Sequence, residues 1–184
     1  MRLGTVFLWK DFPKQQDGKV KDRYFLYLGK SCFTDNPIMV FLITATSRVY
    51  YYEEDGNRTQ HNYIKFKSGQ YCFPKDSIID VGSIDFLEEK YFLNHKENIE
   101  EKTVLPESIL KKIYNLIISS RVISLKVKND IHNNYNLNGI SGLKNPRRRS
   151  WKTFSTEITS YPSPKNLINP IYFIFSSKTY QKKT

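Results

Sequence analysis

Arg23 stands where a charged turn meets an aromatic strand. The stretch "DGKVKDRYFLYLG" (residues 17–29) puts this guanidinium one position before Tyr24 and the apolar run that follows. A guanidinium presents a planar fork of N–H donors that can bind two phosphate oxygens at once. Arg23 is therefore either an ordinary solvated turn residue or an anion-binding group fixed at the mouth of a barrel.

Three other features each have a functional and a simpler interpretation. His61 could act as a base because histidine titrates near neutral pH, but a surface position in a strand is the simpler interpretation. The run Tyr50-Tyr51-Tyr52 could stack on nucleic-acid bases. Alternation along a strand would nevertheless put at least one of these rings in the core, and we favour packing. The basic run at 147–149 could hold nucleic acid or simply keep a tail solvated.

Composition limits the class of protein. The chain has 184 residues, of which 39% are hydrophobic and 15% aromatic, so most of it should fold. Residues 133–184 hold nine of the 29 basic residues and one of the 18 acidic residues, so the net charge of +11 belongs mainly to the tail. The charge therefore gives only weak support for nucleic-acid binding by the rest of the chain.

The absence of targeting features in the sequence favours a cytoplasmic location. No apolar run approaches the ~20 residues of a membrane helix, and the first residues do not resemble a signal peptide. Two cysteines, Cys32 and Cys72, make a disulfide framework improbable, and we expect both to be buried free thiols. Neither has a cysteine or histidine at zinc-type spacing, and we expect no metal and no organic cofactor.

Alternating apolar residues predict several short antiparallel strands. Candidate strands cover residues 4–12, 23–31, 37–47, 48–54, 63–66 and 77–81, separated by polar turns. In the second of these, Tyr24, Leu26 and Leu28 point to one face, whereas Phe25 and Tyr27 point to the other. Both faces are thus covered, which predicts a central strand. Residues 105–122 change to helical spacing and predict one amphipathic helix.

This order of elements predicts a mainly β (α+β) fold, a small SH3-like antiparallel barrel with a late amphipathic helix. We place the barrel domain at residues 1–132. Beyond it Asn, Gly, Ser and Pro accumulate, and residues 133–184 form a basic tail to which we assign no fold. No Gly-rich phosphate loop and no alternation of strands with helices occurs.

A set of short motifs follows the order found in one family. These are "GTVFLWKDFP", an arginine opening the second strand, "VFLITATS", "HNYIKF", "FPKDSIID", "SIDFLEEKYF" and the late helix. Over residues 4–131 the chain resembles the MazF/PemK family of toxin ribonucleases. The resemblance implies a metal-independent endoribonuclease that cuts single-stranded RNA. It leaves a 2′,3′-cyclic phosphate and a 5′-hydroxyl.

The resemblance also implies which residues act. Arg23 matches the family arginine and would bind the phosphate, and Thr44 matches the family threonine and would orient an oxygen or relay a proton. Asp80, close to the family's acidic position, would be a proton acceptor. His61 could also be a base, but on its own chemistry and not through the resemblance. We predict that RNA is bound by residues just before Arg23 in the chain and by residues just after Thr44. These are Lys19, Lys21, Thr46, Ser47 and Arg48. The family further implies a homodimer, a cognate antitoxin and growth inhibition in the cytoplasm.

Two alternatives remain open. Tyr24 stands where the family usually has proline, and "DVGSID" lacks the arginine that usually precedes the last strand. These differences favour a non-catalytic barrel module that binds RNA or a protein partner, because one fold can carry several functions. The second alternative is an interaction protein whose tail does the work.

Overall fold

The computed structural model describes residues 1–13 and 20–147. Across these residues the chain forms six strands and three α-helices, in the order β1 (Thr5–Pro13), β2 (Val20–Lys30), β3 (Met39–Thr46), β4 (Tyr63–Phe66), β5 (Ser77–Glu88), α1 (Glu89–Asn94), β6 (Ile99–Val104), α2 (Glu107–Ser119) and α3 (Leu125–Leu137). Single 3-10 turns occupy Val49–Tyr52, Gln70–Cys72 and Lys96–Asn98. Among these residues no helix is long and apolar enough to cross a membrane.

All six strands belong to one antiparallel sheet. The strand order is β4-β5-β3-β2-β1-β6, so β4 and β6 are the edges. The 3-10 turn Gln70–Cys72, which follows β4, lies against β6, so the sheet curls into a half-barrel. The prediction of a mainly β, α+β fold with antiparallel strands is confirmed.

Both faces of β2 are covered, as its sequence predicts. Leu26 and Leu28 belong to a large core cluster that also includes residues of α2 and α3, whereas Phe25 and Tyr27 face a second, aromatic cluster. The second cluster is closed by Phe92 of α1, whose ring lies 6.0 Å from that of Phe7. Because β2 lies between β1 and β3, it is a central strand with apolar side chains on both sides.

Residues 48–54 do not form the predicted strand. The chain leaves the sheet after Thr46 and makes the 3-10 turn Val49–Tyr52. Only Tyr52 of the three tyrosines is buried, at 3% exposure, while Tyr50 is 59% exposed. Strong β propensity was overridden here by local turn geometry. The prediction that one ring packs in the core is confirmed for Tyr52.

Helix α2 confirms the predicted amphipathic helix, and α3 is an element that the sequence did not predict. The sequence "LKVKNDIHNNYNL" of α3 is mostly polar, so its apolar spacing is weak. The Ser124 hydroxyl caps the helix by accepting a hydrogen bond from the Val127 amide. Asn134 ties it to β2, because its side chain donates to the Lys30 carbonyl at 2.7 Å. The neighbouring Gly29 is required, since a Cβ there would lie 2.3 Å from the Asn134 Oδ1.

The chain beyond residue 132 contributes to the core. Tyr135 and Ile140 are buried in the large cluster, at 0% and 6% exposure. The Tyr114 hydroxyl on α2 lies 2.6 Å from His132 Nδ1 and donates to the Lys144 carbonyl at 2.5 Å. Residue 132 therefore falls inside α3, and the described residues beyond it, up to 147, belong to the same compact unit as the sheet.

The two cysteines differ from expectation in one respect. Cys32 and Cys72 are free, as expected, but both are exposed instead of buried. Cys32 follows the end of β2 and Cys72 lies in a 3-10 turn.

Candidate active site

Arg23 and Thr44 line the same cavity. Antiparallel pairing places the start of β2 beside the end of β3, with Phe25 opposite Thr44. Arg23 lies two positions before Phe25, so it shares a sheet face with Phe25 and Thr44. The cavity at this end of the two strands has a volume of about 530 Å³.

An irregularity in β5 completes the cavity wall. On β3, Ile43 pairs with Ile84 and Ala45 pairs with Ile79, so Thr44 alone faces a four-residue stretch of β5. Such a bulge bends the strand and redirects its side chains. Asp80, the first residue of this stretch, and Asp85, just after it, both line the cavity.

Arg23 has an unsatisfied donor. Its Nε is buried and has no hydrogen-bond partner among the described residues. The guanidinium carbon lies 5.9 Å from the centroid of the Phe12 ring, so the cation is held against the aromatic cluster. A cation with a free buried donor at a cavity wall can bind an anionic ligand.

Thr44 is hydrogen-bonded to Asp85, a residue that the sequence analysis did not select. Its hydroxyl donates to Asp85 Oδ2 at 2.6 Å. Burial raises the pKa of Asp85, while the hydrogen bond from Thr44 and the charge of Arg23 oppose this shift. A half-buried carboxyl group with a raised pKa can exchange a proton closer to neutral pH. The available signal was a carboxylate placed among the apolar residues of "SIDFL".

Asp80 reaches the cavity, but its oxygen atoms are already occupied. Asp80 Oδ2 accepts from the Tyr52 hydroxyl at 3.0 Å and contacts His61 Nδ1 at 2.8 Å, and Arg58 lies 3.6 Å away. Asp80 Oδ1 accepts from the Gly82 amide at 3.0 Å. Asp80 is 4% exposed, and its hydrogen bonds connect the 3-10 turn that contains Tyr52 to β5.

His61 lies behind Asp80. Its side chain is 42% exposed and is not part of the cavity wall. A carboxylate can only accept, so His61 Nδ1 is the donor in the contact with Asp80. Asp80 and His61, the two predicted proton acceptors, therefore contact each other, whereas Thr44 contacts Asp85.

The predicted RNA-binding residues gather at the same place. Lys21, Thr46, Ser47 and Arg48 all line the cavity, while Lys19 lies outside the described residues. Arg58 and Lys75 also belong to the wall, although the sequence analysis did not select them. Among the residues that the structure describes, five basic and three acidic side chains belong to the wall, which suits a polyanionic ligand.

Neither a metal-binding cluster nor a similarity to known proteins assigns a function to this site. Within residues 1–13 and 20–147, no group of three or more His, Cys, Asp or Glu side chains could hold a metal ion. No protein-family model matches the chain, and no curated protein matches it at a significant level. The functional assignment therefore rests on the chemistry of the cavity.

Proposed function

We propose that this protein is a metal-independent endoribonuclease of the toxin–antitoxin type, similar to the MazF/PemK toxins. It would cleave single-stranded RNA to a 2′,3′-cyclic phosphate and a 5′-hydroxyl. The observation that supports this proposal is the convergence of Arg23, Thr44 and Asp85 on one basic cavity. We also propose that the curled sheet is an SH3-like barrel of the kind these toxins have.

Arg23 binds the scissile phosphate in this proposal. RNA cleavage by the 2′-hydroxyl passes through a phosphorane with additional negative charge, and a fixed cation stabilises that charge. Arg23 has a buried donor without a partner among the described residues, and it lies against a rigid aromatic cluster. The guanidinium of Arg23 can therefore bind the phosphate without breaking a hydrogen bond made by its Nε.

Thr44 and Asp85 remove the proton from the nucleophile. The 2′-hydroxyl gives its proton to Thr44 Oγ1 as the Thr44 proton moves to Asp85 Oδ2, along the existing 2.6 Å hydrogen bond. The 2′ oxygen then bonds to phosphorus, the bond from phosphorus to the 5′ oxygen breaks, and the leaving 5′ oxygen takes a proton from water. Asp85 returns its proton to solvent. Threonine alone is a poor base, so the carboxylate supplies the basicity.

We propose the same partners that the resemblance implies. A homodimer would place its RNA groove at the subunit junction, and an acidic segment of a cognate antitoxin would occupy that groove in the cytoplasm. The five basic side chains of the cavity support an acidic peptide as a competitor of RNA. Light scattering should give a molar mass twice that of one chain. A molar mass equal to that of a single chain would contradict the dimer.

The test is cleavage of varied single-stranded RNAs by purified protein in EDTA, with the product ends mapped. Wild type should leave cyclic phosphates, and Arg23→Ala should reduce the rate about 100- to 1,000-fold, as removal of a transition-state donor does. Arg121→Ala, an exposed arginine outside the cavity, is the matched control. Intact RNA with wild type, or equal rates for wild type and Arg23→Ala, would contradict the proposal.

A second candidate is a non-catalytic barrel module that binds RNA or a protein partner. Two observations favour it: the oxygens of Asp80 are already hydrogen-bonded, and His61 lies outside the cavity wall. Such a module would bind RNA through the same basic wall and release it unchanged. Binding without any cyclic-phosphate product would identify it.

A further inference from the structure

Tyr50 and Tyr51 form a pair of neighbouring rings at the edge of the cavity. Their ring centroids are 4.3 Å apart and their planes meet at 45°. Tyr51 lines the cavity, and Tyr50 beside it is 59% exposed. Adjacent residues of a strand would point to opposite faces, so this pairing exists only because Val49–Tyr52 is a 3-10 turn.

The turn that carries the two rings is anchored from beneath. Tyr52 is buried and donates to Asp80 Oδ2 at 3.0 Å. The Arg58 amide donates to the Tyr51 carbonyl at 2.8 Å. Gly56 approaches so closely that a Cβ there would lie 2.2 Å from the Tyr51 carbonyl oxygen. The backbone of the ring pair is therefore fixed before any ligand binds, which lowers the entropy cost of binding.

We propose that Tyr50 and Tyr51 are a docking site for an unpaired nucleobase of the RNA strand whose phosphate is held at Arg23. This inference rests on the proposed function and adds a base-binding subsite to it. An aromatic face can stack on any base, and exposed rings beside basic side chains are how proteins hold single strands. The Tyr51 amide donates to the Arg48 carbonyl at 3.3 Å and both residues line the cavity, so Arg48 places a cation near the rings. That cation can contact the phosphate next to the stacked base.

The experiment measures binding without cleavage. A 2′-O-methyl oligoribonucleotide of mixed sequence has no 2′-hydroxyl and stays intact, and an abasic strand of the same length carries only the sugar-phosphate backbone. Tyr50→Ala and Tyr51→Ala should each weaken binding of the base-containing strand about 5- to 100-fold. Neither substitution should change binding of the abasic strand, and Tyr50→Phe and Tyr51→Phe should keep wild-type affinity because they keep the ring.

Phe33→Ala is the matched control, since Phe33 is 83% exposed and is not part of the cavity wall. It should leave binding of both strands unchanged. If wild type binds both strands and the Tyr→Ala variants bind like wild type, the docking site is overturned while RNA binding stands. An equal loss for both strands would also overturn it, because the tyrosines would then contact the backbone. If wild type binds neither strand, the docking site and the proposed function fail together.

Discussion

The hydroxyl of Thr44 and the carboxylate of Asp85 lie 2.6 Å apart, although 41 positions separate them in the chain. Asp85 pairs with Leu42 of β3, two positions before Thr44 on the same face of the sheet, so the register of β3 and β5 makes the two side chains diagonal neighbours. Arg23 is close enough to both strands to influence the ionisation of Asp85. A cation, a hydroxyl group and a carboxyl group with a raised pKa therefore meet at one wall.

Asp85→Asn should abolish most of the RNA cleavage. Asn cannot accept the proton that Thr44 passes on, so kcat/KM should fall roughly 100- to 10,000-fold, the usual contribution of a positioned base. Wild-type kcat/KM should rise with pH through the raised pKa of Asp85, and this acid limb should be missing from the residual activity of the variant. An unchanged acid limb in Asp85→Asn would show that another group accepts the proton.

The same substitution should change how stability depends on pH. Because burial raises the pKa of Asp85 in the folded state, the folded protein keeps this proton at a pH where the unfolded chain, with a value of about 3.9, has lost it. The protonated Asp85 carboxyl group therefore stabilises the fold at pH values below its ordinary pKa. This stabilisation is lost as the pH rises through the raised pKa of the folded state.

Asp85→Asn should have no such loss. In thermal melts of both proteins, the melting temperature of Asp85→Asn relative to wild type should rise between about pH 4 and neutrality. A relative melting temperature that falls over this range would show that the ionised carboxylate is the favoured form in the folded protein.

In the variant Arg23→Lys, the positive charge of lysine alone should not restore the function of the arginine. Lysine keeps the positive charge but has no planar fork and no Nε donor, so it should bind the phosphate less specifically. We expect cleavage to stay at least about 10-fold below wild type. RNA binding at low salt should be nearly preserved. Full activity in Arg23→Lys would show that Arg23 contributes only a point charge.

Asp80→Ala and His61→Ala should separate a structural role from a catalytic one. Asp80→Ala leaves the Tyr52 hydroxyl and the Gly82 amide without their acceptor, so it should destabilise the fold by roughly 3 kcal/mol. His61→Ala removes an exposed partner and should cost less than about 1 kcal/mol. Denaturant titration gives both values. Normal stability together with lost cleavage in Asp80→Ala would indicate that Asp80 is the base.

Tyr135→Ala should show that the chain beyond residue 132 belongs to the fold. Tyr135 is fully buried on α3, and loss of a buried aromatic ring costs about 3–5 kcal/mol. Leu137→Ala, on the same helix but 85% exposed, is the control and should change stability by less than about 0.5 kcal/mol. Equal unfolding midpoints for the two variants would exclude α3 from the core.

Much of the sheet could be predicted from local pattern. Strand β2 alternates apolar side chains toward two faces, and the structure covers both faces because period-two alternation leaves few other arrangements. Helix α2 was equally clear from its 3.6-residue spacing. Helix α3 was not predicted, because its contacts are made by a few buried residues and by Asn134 within a mostly polar sequence.

The sequence by itself determined strands β1 to β4 and the start of β5, and the placement of Arg23 and Thr44 near strand ends, because side-chain alternation is a property of neighbouring residues. It did not predict β6 or the second half of β5, and its strand at residues 48–54 is wrong. Only the tertiary structure decided which carboxylate meets Thr44, since that depends on the register between β3 and β5, in which Asp85 pairs with Leu42. It also decided that Tyr50 and Tyr51 stand together, because a turn replaced the expected strand. Contacts across strands depend on register, and register is fixed by the packing of the whole sheet.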